Sequence, residues 1–347
     1  MQAWILTHPQ PVGQQPLRLA ELPLPEPGPG QLLVRVRACG ICRTDLHVVE
    51  GDLPERFPHV TPGHQVVGEV AALGPALAPG PDSTLAPGQR VGVAWLHRTD
   101  RSCRFCRSGR ENLCEHADFT GWTVPGGYAQ FLLAEQDFVY PLPEPLSDAQ
   151  AAPLLCAGII GYRCLKLAGL GEPGAPGSRW DGAALGIYGF GAAGHIAIQI
   201  ARARGARVYV CTRDHEHHQK LAQQLGAAWF GGATAAPPVP LDAALMFAPA
   251  GELVPAALQA LDRGGVLVLG GIHMSPIPAL NYDWLYGERV IRSVANNTRA
   301  DGREFLAEAA RAGVHTHVRE FDFTEANQAL LALKQDAIAG AAVLMVR

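Results

Sequence analysis

The stretch ALGIYGFGAAGHIAIQIARARG, residues 184–205, constrains this 347-residue chain more than any other. A short apolar run that suits a buried strand passes through Gly189-Phe190-Gly191-Ala192-Ala193-Gly194 into an apolar helix. At such a turn the missing side chains permit close backbone approach, and the free N–H groups and dipole of the helix N-terminus favour an anion. The spacing alone equally describes a glycine turn that packs helix on strand. The residues downstream decide between the two. ARVYVCT, HHQKLAQQLGA, DAALMFA, LVPAALQALDRG and GVLVLGG alternate strand with helix, the rhythm of right-handed βαβ units on a parallel sheet. In that setting the motif reads as a dinucleotide site. Gly189, Gly191, Ala192, Ala193 and Gly194 lie against the pyrophosphate, and Gly271 and Ile272, after the last of these strands, join the cofactor-binding set.

The strand ARVYVCTRD should end beside the adenosine ribose, where a carboxylate would accept the hydroxyls of NAD. Thr212 and Arg213 stand there instead, and a hydroxyl with a guanidinium suits a 2′-phosphate, so the reading leans to NADP(H) over NAD(H). Asp214, two residues beyond Thr212, would serve NAD. The run Asp214-His215-Glu216-His217-His218 reads as a solvated helix start rather than a metal site.

The length allows two domains, since single cores stop growing at about 250–300 residues. Residues 1 to 140 have a different texture: LLVRVRACG, QVVGEVAAL, QRVGVAWL and YAQFLLAE are short strands between glycine and proline clusters. LGPALAPGPDSTLAPG is too poor in bulky apolar groups to pack and reads as an exposed loop. After the alternating region come two helices, DGREFLAEAARAG and FTEANQALLALKQ, and a closing strand, GAAVLMV. A formal charge of −4 gives no general attraction to nucleic acid or anionic membrane. MQAWILTHPQ lacks a signal-peptide pattern, and the long apolar stretch around the glycine motif is interrupted by His195, Gln199 and glycines, which disfavours a membrane span. Cysteines at metal-ligand spacing in such a chain point to a reducing cytoplasm rather than to disulfides.

Two thiols and an imidazole come from three distant segments: Cys42-Arg43-Thr44-Asp45-Leu46-His47, Gly63-His64 and Leu155-Cys156-Ala157. Singly, each is an ordinary buried residue. Together with the dinucleotide motif they resemble the zinc-dependent alcohol dehydrogenases of the medium-chain dehydrogenase/reductase family, over essentially the whole chain. The bacterial class I members, with a segment like Trp95-Leu96-His97 before a zinc loop, are the nearest resemblance. The resemblance implies a mainly β GroES-like catalytic domain, residues 1–157 and 292–347, and a Rossmann domain with a doubly wound parallel sheet, residues 158–291. It implies a catalytic zinc on Cys42, His64 and Cys156, with the fourth position left for water or substrate. Thr44 then takes the alcohol proton, His47 releases it to solvent through the cofactor ribose, and hydride passes to nicotinamide C4. Arg43 matches a pyrophosphate contact, and Asp45 would fix the tautomer of His64. The family usually has glutamate where this chain has Gln65, so a more electrophilic zinc with restricted ligand exchange is expected. Ala341 stands near the place where many relatives carry a second pyrophosphate-binding arginine.

In the same family a structural zinc lobe, here residues 95–116, holds four cysteines spaced x2, x2, x7. Asp100, Cys103, Cys106 and Cys114 reproduce that spacing with a carboxylate first, an acceptable though less favoured zinc ligand. Three thiolates and a carboxylate leave a charge near −2 that Arg101, Arg104, Arg107 and Arg110 would neutralise. Four protein ligands leave no open position, so this second zinc does no chemistry. The resemblance implies a small-molecule alcohol or aldehyde substrate and a homodimer or homotetramer. Trp95 matches a bulky pocket wall, and the loops Leu53 to Phe57 and Phe119 to Tyr128 would shape the rest. A zinc-independent enal or quinone reductase of the same fold would not need Cys42, His64 and Cys156. A zinc-knuckle nucleic-acid binder is disfavoured by the acidic charge and the lack of aromatics between the arginines.

Overall fold

Alternation sets the first sheet. In the strand Gln31–Ile41, Val34, Val36 and Ala38 are buried while Arg35 and Arg37 reach solvent, the period of two that a half-buried strand requires. The computed structural model describes residues 1–75, 85–144, 146–213 and 215–347. Most of the proline-rich segment expected as an exposed loop, and Asp214, therefore lie outside the described residues. The chain divides into two compact units. One is Met1–Cys156 with Asn296–Leu306 and Val318–Arg347; the other is Ala157–Ala295 with Ala307–His317.

In the first unit the strand Gln31–Ile41 lies between Ala341–Met345 and Gln65–Leu73. Val318–Asp322 extends the sheet beyond Ala341–Met345, and Arg90–Val93 and Val139–Pro141 extend it on the other side. Phe131–Glu135 also pairs with Gln31–Ile41. The pairing with Gln65–Leu73 is antiparallel and ends at Gly40 opposite Gln65. Leu32, Val34, Val66, Val91, Leu132 and Leu344 fill the core of this unit.

The second unit holds a parallel sheet in the order Trp229–Gly231, Arg207–Cys211, Ala184–Tyr188, Leu241–Met246, Leu261–Leu269, Val290–Ser293. The chain builds outward from Ala184–Tyr188 on one side, then returns and builds outward on the other. The order thus reverses between Ala184–Tyr188 and Leu241–Met246, the place where an open α/β sheet leaves a crevice at its carboxyl edge. Gly189 comes directly after the first of these two strands.

Two local expectations are corrected. LVPAALQALDRG is not one helix: the helix Val254–Gln259 stops and the strand Leu261–Leu269 begins inside that segment. Leu261 fits the helical apolar spacing but pairs with Leu241, and the register shifts before Ala243 meets Val266. The histidine-rich run is not wholly solvated either. A wide π-type turn at His215–Gln219 precedes the helix Lys220–Gln224, and it buries His218.

His195, directly after the glycine motif, is fully buried in the helix Ala192–Ala203. Its Nδ1 stands 3.2 Å from the Gly191 carbonyl, and its Nε2 accepts the His317 N–H at 3.3 Å. Nδ1 is therefore the protonated nitrogen of a neutral ring. Burial lowers its pKa from 6.5 to about 4, with the neighbouring His317 adding to the effect. Above the unfolded value both states are neutral and nothing is lost. Between 6.5 and about 4, the unfolded chain binds a proton that the folded one refuses, so stability falls as pH falls, by up to about 3 kcal/mol. Urea unfolding at several pH values in this window should show that decline, and His195→Gln should flatten it.

Candidate active site

Three segments of the first unit end at one point. Cys42 follows the strand Gln31–Ile41 and caps the helix Arg43–Glu50, His64 precedes the strand Gln65–Leu73, and Cys156 follows the turn Ala152–Leu155. Because Gly40 lies opposite Gln65, Cys42 and His64 leave the two strands side by side. Cys42 Sγ stands 3.3 Å from His64 Nε2, and the ligand atoms of Cys42, His64 and Cys156 all lie within 4.8 Å of one another.

Asp45 organises this cluster. One carboxylate oxygen accepts the Cys42 N–H at 2.8 Å, closing a capping box in which Cys42 Sγ accepts the Thr44 N–H at 3.4 Å. The other oxygen is 3.0 Å from His64 Nδ1. That contact places a proton on Nδ1 and directs Nε2 toward sulfur. Without a cation the cluster holds protons. Burial opposes a charged His64, yet Asp45 and Cys42 outweigh it and raise its pKa to about 10. Hydrogen bonding to Cys156, then burial, hold the Cys42 thiol well above the usual thiol range. Donors of a tetrahedral zinc at about 2.0–2.3 Å stand about 3.8 Å apart or closer. The 3.3 Å between Cys42 Sγ and His64 Nε2 lies within that range; two sulfurs and one imidazole nitrogen are donor types that suit the ion, and three protein donors would leave one position open.

The other expected residues of the helix are nearby in sequence and individually held. Thr44 is buried. Arg43 pairs with Asp336 at 3.4 Å. His47 Nδ1 meets Asp52 at 2.8 Å, a partner not expected from the sequence. The signal for it is Gly51, whose left-handed φ of 85° ends the helix and folds the next residue back. Gln65 is buried, with its side chain over Gly40. Trp95 lies edge-on to His64, ring centroids 5.0 Å apart, and stacks with Phe119 and Trp122. Trp122 donates to the Pro54 carbonyl at 2.8 Å, so the two loops expected to shape the site are fastened together.

Asp100, Cys103, Cys106 and Cys114 also converge, with their ligand atoms within 4.8 Å. Asp100 accepts the N–H groups of Cys103 and Ser102, each at 2.9 Å, and meets His116 at 3.1 Å. These contacts, the Cys103 and Ser102 amides first, hold its carboxyl well below the ordinary range. Three of the four surrounding arginines have defined neighbours. Arg101 pairs with Asp137 at 2.9 Å, and Arg104 and Arg110 lie over the Phe105 ring.

In the second unit the three glycines differ in what they permit. Gly189 has φ 87°, and a Cβ there would meet Ala248 N at 2.7 Å. A Cβ at Gly194 would meet the Gly189 carbonyl oxygen at 2.7 Å, whereas one at Gly191 would point into open space. Turn, packing and room for a ligand are thus divided among them, as a pyrophosphate cradle requires. Ala192 and Ala193 form the first turn of the helix Ala192–Ala203. Thr212 and Arg213 follow the strand Arg207–Cys211, and Gly271 and Ile272 follow Leu261–Leu269. All therefore stand at the carboxyl edge of the parallel sheet. Thr212 is buried, while Arg213 and Ile272 are exposed. Among the described residues no helix is long and apolar enough to cross a membrane.

Comparison with known proteins gives two family matches, the alcohol dehydrogenase GroES-like domain over residues 28–144 and the zinc-binding dehydrogenase domain over residues 192–311. A probable alcohol dehydrogenase AdhA of Mycobacterium tuberculosis is 49% identical over 347 residues, covering 100% of this chain and 97% of the relative. An alcohol dehydrogenase of Geobacillus stearothermophilus is 34% identical, covering 96% and 97%. Among solved structures, a cinnamyl alcohol dehydrogenase from Sorghum bicolor has a TM-score of 0.86 at 28% identity, covering 99% of this chain and 97% of that one. An acetophenone reductase from Geotrichum candidum, solved with NAD, has a TM-score of 0.85 at 27% identity and the same coverage. Likeness over the full length joins a sulfur and imidazole cluster that suits zinc to a glycine turn that suits a dinucleotide. This chain belongs to the zinc-dependent alcohol dehydrogenases of the medium-chain dehydrogenase/reductase family, oxidoreductases that act on CH–OH donors with a nicotinamide cofactor.

Proposed function

We propose that this chain interconverts primary alcohols and aldehydes with NADP(H) in preference to NAD(H), as a cytoplasmic homodimer or homotetramer. Residues 1–157 and 292–347 form its catalytic domain and residues 158–291 its dinucleotide-binding domain. The observation that supports it best is the convergence of Cys42, Cys156 and an Asp45-oriented His64 within 4.8 Å. When bound there, zinc supplies Lewis acidity at the substrate oxygen and the nicotinamide supplies the hydride acceptor. Asp45 keeps the His64 proton on Nδ1, so Nε2 remains a donor to the cation. Thr44, beside Cys42 on the same helix, takes the hydroxyl proton of the alcohol. His47, held at Nδ1 by Asp52, passes that proton on to solvent. Arg43 and the N-terminus of the helix Ala192–Ala203 bind the pyrophosphate, and Thr212 and Arg213 bind a 2′-phosphate. Asp100, Cys103, Cys106 and Cys114 hold a second, structural zinc.

A spectrophotometric panel of primary alcohols and aldehydes, each with NAD(H) and NADP(H), tests the reading. Turnover of none of them with either cofactor rejects it. Metal analysis should return two zinc ions per chain. Cys156→Ala should retain one and lose alcohol oxidation by about a hundredfold or more, whereas Cys106→Ala should retain one, keep measurable turnover and melt at a lower temperature. Arg213→Ala should raise the KM for NADPH about tenfold by removing a charge-assisted hydrogen bond while leaving that for NADH within about twofold. Equal effects on both cofactors in steady-state kinetics would remove the preference.

A further inference from the structure

Trp95 is buried against His64, so its indole N–H needs a partner inside the protein. It donates to Asn296 Oδ1 at 3.0 Å. The same amide donates from Nδ2 to the Asn112 carbonyl, also at 3.0 Å. Asn112 belongs to the short turn Glu111–Leu113, which leads directly into Cys114. An indole can only donate and a carbonyl can only accept, so the amide orientation is fixed by its two partners. A carboxamide serves both at once where a carboxylate serves only the indole. Asn296 also has φ 54°, a left-handed conformation that asparagine tolerates better than most side chains.

The contact is braced on both sides. Glu111 accepts the backbone N–H of Arg299 at 3.0 Å and its Nε at 2.9 Å. Thr298 and Asp301 cap each other, the Thr298 N–H on the Asp301 carboxylate and the Asp301 N–H on the Thr298 hydroxyl. We propose that Asn296 is a positioning residue for Trp95, coupling the four-ligand loop at Asp100–Cys114 to the wall beside His64. The loop, which has no open coordination position, thereby acts on substrate binding through one amide. The inference rests on the reading of Cys42, His64 and Cys156 as the reaction site.

The test uses the full zinc-loaded protein labelled with 5-fluorotryptophan, its Trp95 resonance assigned by Trp95→Phe. Asn296→Gly removes both hydrogen bonds and keeps the backbone conformation accessible; Asn296→Asp removes only the one to Asn112. Both should shift the Trp95 resonance. Asn296→Gly should raise the KM for an alcohol about tenfold, with kcat and the cofactor KM within about twofold. Cys106→Ser should shift the same resonance with Asn296 present and not in the Asn296→Gly background. An unmoved resonance in both Asn296 variants, a fall in kcat at constant KM, or an undiminished effect of Cys106→Ser in the Asn296→Gly background would overturn the proposal. Absence of alcohol turnover in the unaltered protein would instead sink the functional reading, and the resonance measurements would still decide the positioning role.

Discussion

The site in the first unit depends on the Asp45 carboxylate. It is 1% exposed, yet each oxygen has a polar partner, the Cys42 N–H on one and His64 Nδ1 on the other. A buried carboxylate without such partners would be strongly unfavourable. Its place in the first turn of the helix Arg43–Glu50 adds a favourable dipole. Asp45 therefore joins two tasks in one side chain. It starts the helix that carries Thr44 and His47, and it fixes the tautomer of a histidine from another strand. The backbone register of Gly40 against Gln65 brings the segments together; Asp45 turns that proximity into an oriented nitrogen.

What could be read in the sequence was the set of residues whose chemistry has few alternatives. Glycines between strand and helix, and cysteines at fixed spacing, announce themselves because other side chains cannot do the same work at those positions. The alternating strands were also readable, because burial on one face leaves a period of two. Most side-chain partnerships were not. His116 and Asn296 find their partners only after the fold brings them there, and their local sequence resembles any polar loop. The helix Ala157–Leu167 is harder to see for another reason: Ala157, Ile159, Tyr162, Cys164 and Leu165 are all buried, and Arg163 and Lys166 are the only charged residues on its partly exposed side. The arginines around Cys103 were visible as a set, but not their neighbours, Phe105 for Arg104 and Asp137 for Arg101.

The two cation-type clusters differ in how the chain assembles them. Asp100 and Cys114 are 14 residues apart, and the cluster between them closes within a single loop. Loop closure over so short a span costs little chain entropy compared with gathering distant segments. Cys42 and His64 are 22 residues apart, on two paired strands, and Cys156 comes from a third segment far along the chain. That cluster exists only once the first sheet has its register. The local cluster offers four donors and the distributed one three, and in the proposed assignment that difference separates a closed site from one that admits a substrate.

The anion site shows the same economy in a different form. Ala341, where the sequence resemblance would allow a second pyrophosphate-binding arginine, is buried in the strand Ala341–Met345 opposite Val318. In the proposed assignment Arg43 is the side-chain cation of the first unit offered to the pyrophosphate. Arg43 already faces the Asp336 carboxylate at 3.4 Å, with both side chains partly exposed. A partly exposed pair at that distance contributes about 1 kcal/mol or less, so a dianionic pyrophosphate that forms a shorter contact displaces Asp336 at small expense. The pair gives Arg43 a defined partner without holding it firmly. A partner of that kind, in the proposed assignment, lowers the ordering penalty of binding.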